Sequence, residues 1–353
     1  MASPHSEAVY CLSNTSKGWT YRHPYAGLSI ASATISVVGS LYMLAAWGPY
    51  LKVKLKFRRP LLHPNRHVVF FLALSDVVAC LAVISRSITL LFIEPAVPVN
   101  ASGPPCTERH PEYCNTRYHY YWSFGIAVEL TLRFGYTATF LWTLLYACDA
   151  CAKARQRAIS NRFCHLFTWP LALALAGANE IVLFAGNLGH CSGRDRLPWS
   201  YFLIYAPMLI VIVVNPLLYV KTNRRYVRLL RGSGHFTRCE REAVEEQQRK
   251  FLFLVSIFYI CWLPSLISGG YEIAVLFNTG KLDHVPLPVW LVNAAANPLQ
   301  GLLNSIVYGT PGQMNLFRTR EDRTSKPMVS QPMITDVDDD DDEDFTKSDS
   351  WTS

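Results

Sequence analysis

The chain has 353 residues, half of them apolar and only 17% charged, with a formal net charge of +7. Soluble domains carry about 25% charged residues, and here the charges are also segregated, with none in residues 24–51, 197–220, 251–271 or 285–317. Each of those runs is long enough to cross a hydrocarbon layer of about 30 Å as a helix, which excludes a soluble enzyme.

In chain order, residues 1–24 form a polar tail without the apolar core of a cleavable signal peptide, so the first apolar run is expected to act as its own insertion signal. Residues 67–93, 118–148 and 164–189 cross with one or two buried charges each, which brings the candidate spans to seven. The predicted fold is an all-α, seven-transmembrane helix bundle over residues 25–309, followed by a carboxyl-terminal tail, 310–353. Residues 94–117 carry five prolines, which exclude helix and predict a rigid cover. After the fifth span, Gly232-Ser233-Gly234 breaks the chain. Residues 240–250 resume a helical pattern with Glu245/Arg249 and Glu246/Lys250 in the favourable acid-to-base order, so the sixth helix is expected to project beyond the membrane. Residues 336–353 hold nine acids and one lysine, and the acidic run 338–344 repels itself, predicting a disordered tail.

Lysine and arginine set the orientation, because short loops rich in them stay cytoplasmic. One set of loops holds 23 of them and the opposite set 7, which puts the amino terminus outside and the carboxyl terminus inside. Both Asn-x-Ser/Thr acceptors, Asn14 and Asn100, fall on the outer side, where glycosylation occurs. The basic excess lies at the inner membrane face, open to anionic lipid and acidic partners; topology accounts for most of it, a specific partner surface is the alternative, and nucleic acid is not called for. Of ten cysteines, Cys11, Cys106, Cys114 and Cys191 are external and allow three disulfide pairings. Cys80, Cys148, Cys151, Cys164, Cys239 and Cys261 read as reduced packing residues. No cysteine or histidine has metal spacing, so no metal or other cofactor is expected and an intramembrane zinc hydrolase is disfavoured. The seventh span has no lysine, which excludes a retinal Schiff base.

Ionisable groups inside a span cost about 2.5–3.5 kcal/mol each on insertion scales and therefore face the bundle interior with partners. Asp76 lies near the midplane, where Asn293, Asn297 and Asn304 of the seventh span offer polar company. Arg86 lies about 15 Å higher, in an outer layer with Glu129, Arg133, Glu180 and Glu272. Glu129 with Arg133 and Glu180 with Arg86 are the pairs expected from neutralisation alone. A guanidinium also matches a ligand carboxylate bidentately and a free Glu takes an ammonium, so the same layer suits a zwitterion.

Leu72-Ala73-Leu74-Ser75-Asp76, Cys261-Trp262-Leu263-Pro264 and Asn297-Pro298 look like signatures of rhodopsin-like receptors, but the third span ends Asp149-Ala150-Cys151 and position 301 is Gly. Together with Arg86-Ser87, residues 145–150, Val214-Asn215-Pro216-Leu217-Leu218 and Asn297-Pro298-Leu299-Gln300-Gly301, the chain resembles the ocular albinism type 1 receptor family over residues 67–309. That resemblance implies a non-enzymatic receptor of melanosome and lysosome membranes, with the plasma membrane a further location. It also implies a response to L-DOPA and related tyrosine derivatives, including dopamine-like amines, and signalling through heterotrimeric G proteins and arrestin. The ligand is then expected to contact Arg86, Glu129, Arg133 and Glu272 above Trp262, with Asp76, Asp149, Pro264, Asn297 and Pro298 serving switching and coupling. The same comparison pairs Cys191 with Cys114 or Cys106, although Cys114 lies about eleven residues before the usual position. The alternatives from other classes are a transporter using Asp76 as a proton site and a non-signalling sorting protein of an organelle membrane, for which Leu229-Leu230 is a candidate dileucine. Enzymatic deglycosylation is expected to increase electrophoretic mobility, and Asn14→Gln with Asn100→Gln should abolish that shift; unchanged mobility of the parent chain would contradict the outer placement of both sites.

Overall fold

The computed structural model describes residues 16–48, 66–92, 116–184 apart from 156 and 158, 197–232, 238–279 and 287–308. Every described element is helical: α1 (Ser16–Trp47), α2 (Arg66–Phe92), α3 (Thr116–Lys153), α4 (Asn161–Phe184), α5 (Leu197–Gly232), α6 (Arg238–Thr279), α7 (Leu287–Ala296) and α8 (Gln300–Tyr308). Asn14, Asn100, Cys114, Cys191 and the proline-rich cover lie outside the described residues. The chain divides into two units, residues 1–312 and 313–353, and the second also lies outside them.

Among the described residues, five helices are by length and composition able to cross a membrane: residues 23–47 of α1, 67–91 of α2, 161–183 of α4, 199–228 of α5 and 244–275 of α6. α3 falls outside that group and carries Glu129 and Arg133 one turn apart at its centre. The seventh expected span is two short helices, because Asn297, Pro298 and Leu299 form a turn between α7 and α8. Pro298 has no N–H to continue the ladder, which explains the interruption. α6 begins at Arg238 and runs 42 residues, about 60 Å, so its first turns extend beyond the apolar segment as expected. The Glu246–Lys250 pair closes at 2.7 Å in that stretch.

Lipid tails are as apolar as leucine, so membrane helices associate through close packing and polar contacts more than through hydrophobic burial. α1 packs on α2, α7 and α8, α3 packs on α2, α4 and α5, and α6 on α5, α7 and α8. Small residues make the closest approaches. A Cβ at Gly135 of α3 would stand 2.8 Å from the backbone of Ala79 in α2, and one at Gly301 of α8 would meet the hydroxyls of Ser36 and Ser40 and the Cβ of Asp76. That is why Gly occupies position 301. Ser29, Ser32, Ser36 and Ser40 are all buried along α1; Ser32 donates to the Ala294 carbonyl at 2.9 Å, and Ser36 accepts from the Leu302 amide at 3.1 Å. The Leu302 amide belongs to the first turn of α8, where amides have no partner within the helix, so α1 caps α8.

Gly135→Ala forces two backbones apart and is expected to cost about 1–3 kcal/mol. Gly301→Ala, whose nearest obstacles are rotatable hydroxyls, should cost less. Thermal unfolding of both variants in one detergent checks the order; equal melting temperatures for Gly135→Ala and the parent would rule out the close α2–α3 contact.

Candidate functional site

Arg86 on α2, Glu129 and Arg133 on α3, and Glu180 on α4 meet between the helices, each less than a tenth exposed. Arg86 Nε lies 2.9 Å from Glu129 Oε1. Arg133 Nε lies 3.2 Å from Glu180 Oε1 and 3.7 Å from Glu129 Oε2. The pairing expected between Glu180 and Arg86 is therefore corrected. α4 packs chiefly on α3, so Glu180 reaches Arg133, and Arg86 takes Glu129 across the α2–α3 seam. The four charges alternate in sign along one chain and sum to zero. Their geometry is looser than their distances suggest, because Arg133 Nε and both Glu180 oxygens are buried without an aligned hydrogen bond.

Glu272 of α6, expected in the same layer, accepts a 2.5 Å hydrogen bond from the Tyr201 hydroxyl of α5. Nearby, Ser200 of α5 donates to Asn179 Oδ1 of α4 at 2.7 Å. The structure thus brings four of the five ionisable groups of the layer together and gives the fifth a phenol.

Trp262 is fully buried. Its ring meets Tyr136 and Phe140 of α3 edge-on at 4.9 and 4.7 Å, and its indole N–H donates to Gln300 Oε1 of α8. Tyr136 stands one turn from Arg133, so a single α3 residue separates the ion chain from the tryptophan. Pro264 follows two residues later inside α6.

Asp76 accepts from Thr139 at 3.1 Å and from Asn304 at 3.0 Å. Of the three asparagines expected near it, only Asn304 arrives. Asn297 accepts from Ser265 at 2.9 Å and Asn293 donates to Ser268 at 2.9 Å, so both tie α7 and its following turn to α6. The carbonyl of Pro298 lies 3.6 Å from Cys80 Sγ of α2. Thr139 and Tyr201 escaped the sequence reading, and Gln300 was read only as part of a motif, since neutral polar residues in an apolar run do not reveal their partners until the facing helix is known.

At the opposite end, Asp149 pairs with Lys153 one turn on, at 2.8 Å, and Arg155 and Arg157 are exposed. Arg225 of α5 donates to the Ala154 carbonyl at 3.1 Å. Tyr308 donates to the Lys250 carbonyl at 3.1 Å and accepts through its own carbonyl from Trp47 at 2.6 Å. Cys80, Cys148, Cys151, Cys164 and Cys261 are free thiols, and among the described residues no three His, Cys, Asp or Glu side chains gather as a metal site.

The profile of the family described as "Ocular albinism type 1 protein" matches residues 1–337. Human "G-protein coupled receptor 143" is 28% identical over 252 residues, which is 68% of this chain and 60% of that protein. The chain thus aligns with less than two thirds of that relative's length.

Asp76→Ala leaves the Asn304 amide and the Thr139 hydroxyl without their acceptor, a loss of about 1–3 kcal/mol per buried group. Asp76→Asn keeps an acceptor for one of them and should lose less. A double-mutant cycle of Asp76→Ala with Asn304→Leu, read by thermal unfolding, is expected to be less than additive; strict additivity would show that the two residues do not interact.

Proposed function

The chain belongs to the ocular albinism type 1 protein family, and from that membership we propose that it is a seven-span G-protein-coupled receptor for a small aromatic amino acid of the L-DOPA and tyrosine class, or the corresponding amine. The seventh span is α7 with α8, the amino terminus faces outward or into the organelle lumen, and the carboxyl terminus faces the cytoplasm. Melanosome and lysosome membranes are its expected locations, with heterotrimeric G protein and arrestin as inner partners. The human relative's name as a G-protein coupled receptor supports the class.

The observation that carries the ligand chemistry is the Arg86–Glu129–Arg133–Glu180 chain. It is charge-balanced without a ligand, yet the bonds around Arg133 and Glu180 are poorly aligned. A zwitterion offers the same two signs of charge with freely adjustable geometry: its carboxylate suits a guanidinium and its ammonium suits Glu129 or Glu180. Binding exchanges one set of neutral pairs for another and strands no charge, while the aromatic ring takes the apolar space toward Tyr136 and Trp262.

A ligand shifts a receptor only by binding the active arrangement more tightly. Rearrangement of the ion chain reaches Tyr136 within one turn, Tyr136 bears on Trp262, and Trp262 holds Gln300 at the start of α8. The proposed response is movement of α6 about Pro264, opening an inner crevice bounded by Asp149, Arg155, Arg157 and residues 221–250. Guanine-nucleotide exchange driven by the purified protein, with aromatic amino acids and amines as candidate agonists, tests the whole reading; no stimulated exchange, together with substrate uptake into sealed vesicles, would assign the protein to transport.

Arg133→Ala is expected to lower potency for an aromatic amino acid at least about ten-fold, or about 1.4 kcal/mol, and much less for the amine that lacks the carboxylate. Arg86→Ala, measured alongside, identifies which guanidinium bears the contact. The amine response serves as the internal control for folding. Equal losses for both ligand types in the Arg133 variant, or normal potency for both, would reject carboxylate recognition by Arg133.

A further inference from the structure

Where α3 ends beside α5, a cavity of about 500 Å³ is lined by Arg155, Lys221, Thr222, Arg224, Arg225 and Arg228, with Cys151, Ala154, Leu217 and Val220 completing its wall. Five of its lining residues are cationic and none is acidic. One of the five is structurally fixed, since Arg225 Nε is committed to the Ala154 carbonyl. Thr222 is 2% exposed, and its hydroxyl is buried without a hydrogen-bond partner. Five cations held around one concavity repel one another, and nothing in the lining offsets them. Such a lining suits an anion of more than one charge.

The wall also says which kind of anion. Leu217, Val220, Lys221, Arg224 and Arg228 recur at helical spacing along one side of α5, apolar up to Val220 and basic from Lys221 onward. Leu217 is 64% and Val220 43% exposed, and both belong to the apolar segment 199–228 that is able to cross a membrane. The cavity therefore opens beside a lipid-facing strip at the level where the hydrocarbon ends. A free inorganic anion gains nothing from Leu217 and Val220, whereas a lipid places acyl chains along them and its phosphates among the arginines.

We infer that this cavity binds the multiply phosphorylated headgroup of an anionic membrane lipid, with Lys221, Arg224 and Arg228 holding phosphate, Thr222 donating to it, and Leu217 and Val220 accepting the proximal acyl chain. The site rests on the inward orientation of this end of α5 and is independent of what binds the ion chain. Occupancy ties the end of α3 to α5, beside the crevice proposed for the G protein.

The test uses the full chain in nanodiscs of phosphatidylcholine, with and without 5% phosphatidylinositol bisphosphate, with lipid retention read by native mass spectrometry and affinity by titration of the short-chain dioctanoyl form in detergent. Binding is expected to be saturable, weakened by salt, and at least about ten-fold weaker in Arg224→Gln/Arg228→Gln, with a smaller loss in Thr222→Val. The soluble inositol phosphate headgroup should bind about ten-fold or more weakly than the lipid, because it lacks the acyl chain. Unchanged affinity in the double glutamine variant overturns the proposal, as does equal binding of the bare headgroup. A synthetic peptide of residues 336–345 that occupies the cavity more tightly than the lipid would assign it to an acidic segment and also overturn the lipid proposal. Circular dichroism of the double variant in the same detergent separates loss of the site from loss of the fold.

Discussion

Two guanidiniums and two carboxylates share the space between α2, α3 and α4, away from water, and the positions of those helices follow from the need to keep them together. An unpaired charge there costs several kcal/mol, and removing one partner of a buried pair is worse than never having had the pair. The order Arg86, Glu129, Arg133, Glu180 leaves no charge without an opposite neighbour, with Arg86 and Glu129 2.9 Å apart and Arg133 and Glu180 3.2 Å apart. Sliding α3 past α2 by one turn moves it about 5.4 Å, enough to separate both contacts that cross helix boundaries. The ion chain therefore acts as a register mark for three helices, whatever else it binds.

Register alone does not bring the helices close enough, and small residues supply the approach. Gly135 lets α3 settle on the backbone of Ala79, three residues from Asp76 on the α2 side of the same seam as Thr139, whose hydroxyl then reaches Asp76. Gly301 lets α8 lie against Ser36 and Ser40, which brings Asn304 to the same carboxylate from the other side. A larger residue at either position separates Asp76 from one of its two donors. The hydrogen bonds to Asp76 are thus consequences of missing side chains as much as of polar ones.

This balance explains what was legible in the sequence. Depth along each helix follows from counting residues, so it was readable that Arg86, Glu129, Arg133 and Glu180 share one level and that Asp76 lies at another. Partner choice depends on the rotation and neighbour order of each helix, which weakly amphipathic membrane segments do not encode strongly. Glu180 was accordingly assigned to the wrong arginine, and Glu272 was placed with the ion chain although Tyr201 holds it. The two short helices replacing one continuous seventh span were foreshadowed by Pro298 alone. The serine stripe of α1 was visible as letters but had no meaning until α8 was seen against it.

The break at Asn297-Pro298-Leu299 gives these contacts a mechanical sense. On its α7 side, Asn293 and Asn297 hold Ser268 and Ser265 of α6; on its α8 side, Asn304 holds Asp76 of α2 while Gln300 holds Trp262 of α6. α7 is thus tied to α6 by these side chains and to α1 through Ser32, which donates to the Ala294 carbonyl, and α8 is shared between α6 and the α1–α2 pair, whose Ser36 caps it. A continuous helix would transmit any displacement of α6 rigidly into Asp76. With the ladder already interrupted, α7 can follow α6 by giving up the Ser32 bond to Ala294, while α8 stays with α1 and α2 and gives up the bond between Trp262 and Gln300. Trp262 is also the residue on which Tyr136 rests, one turn from the ion chain, so its bond to Gln300 is the α6–α8 link nearest the charges, while the Tyr308 bond to the Lys250 carbonyl lies at the other end.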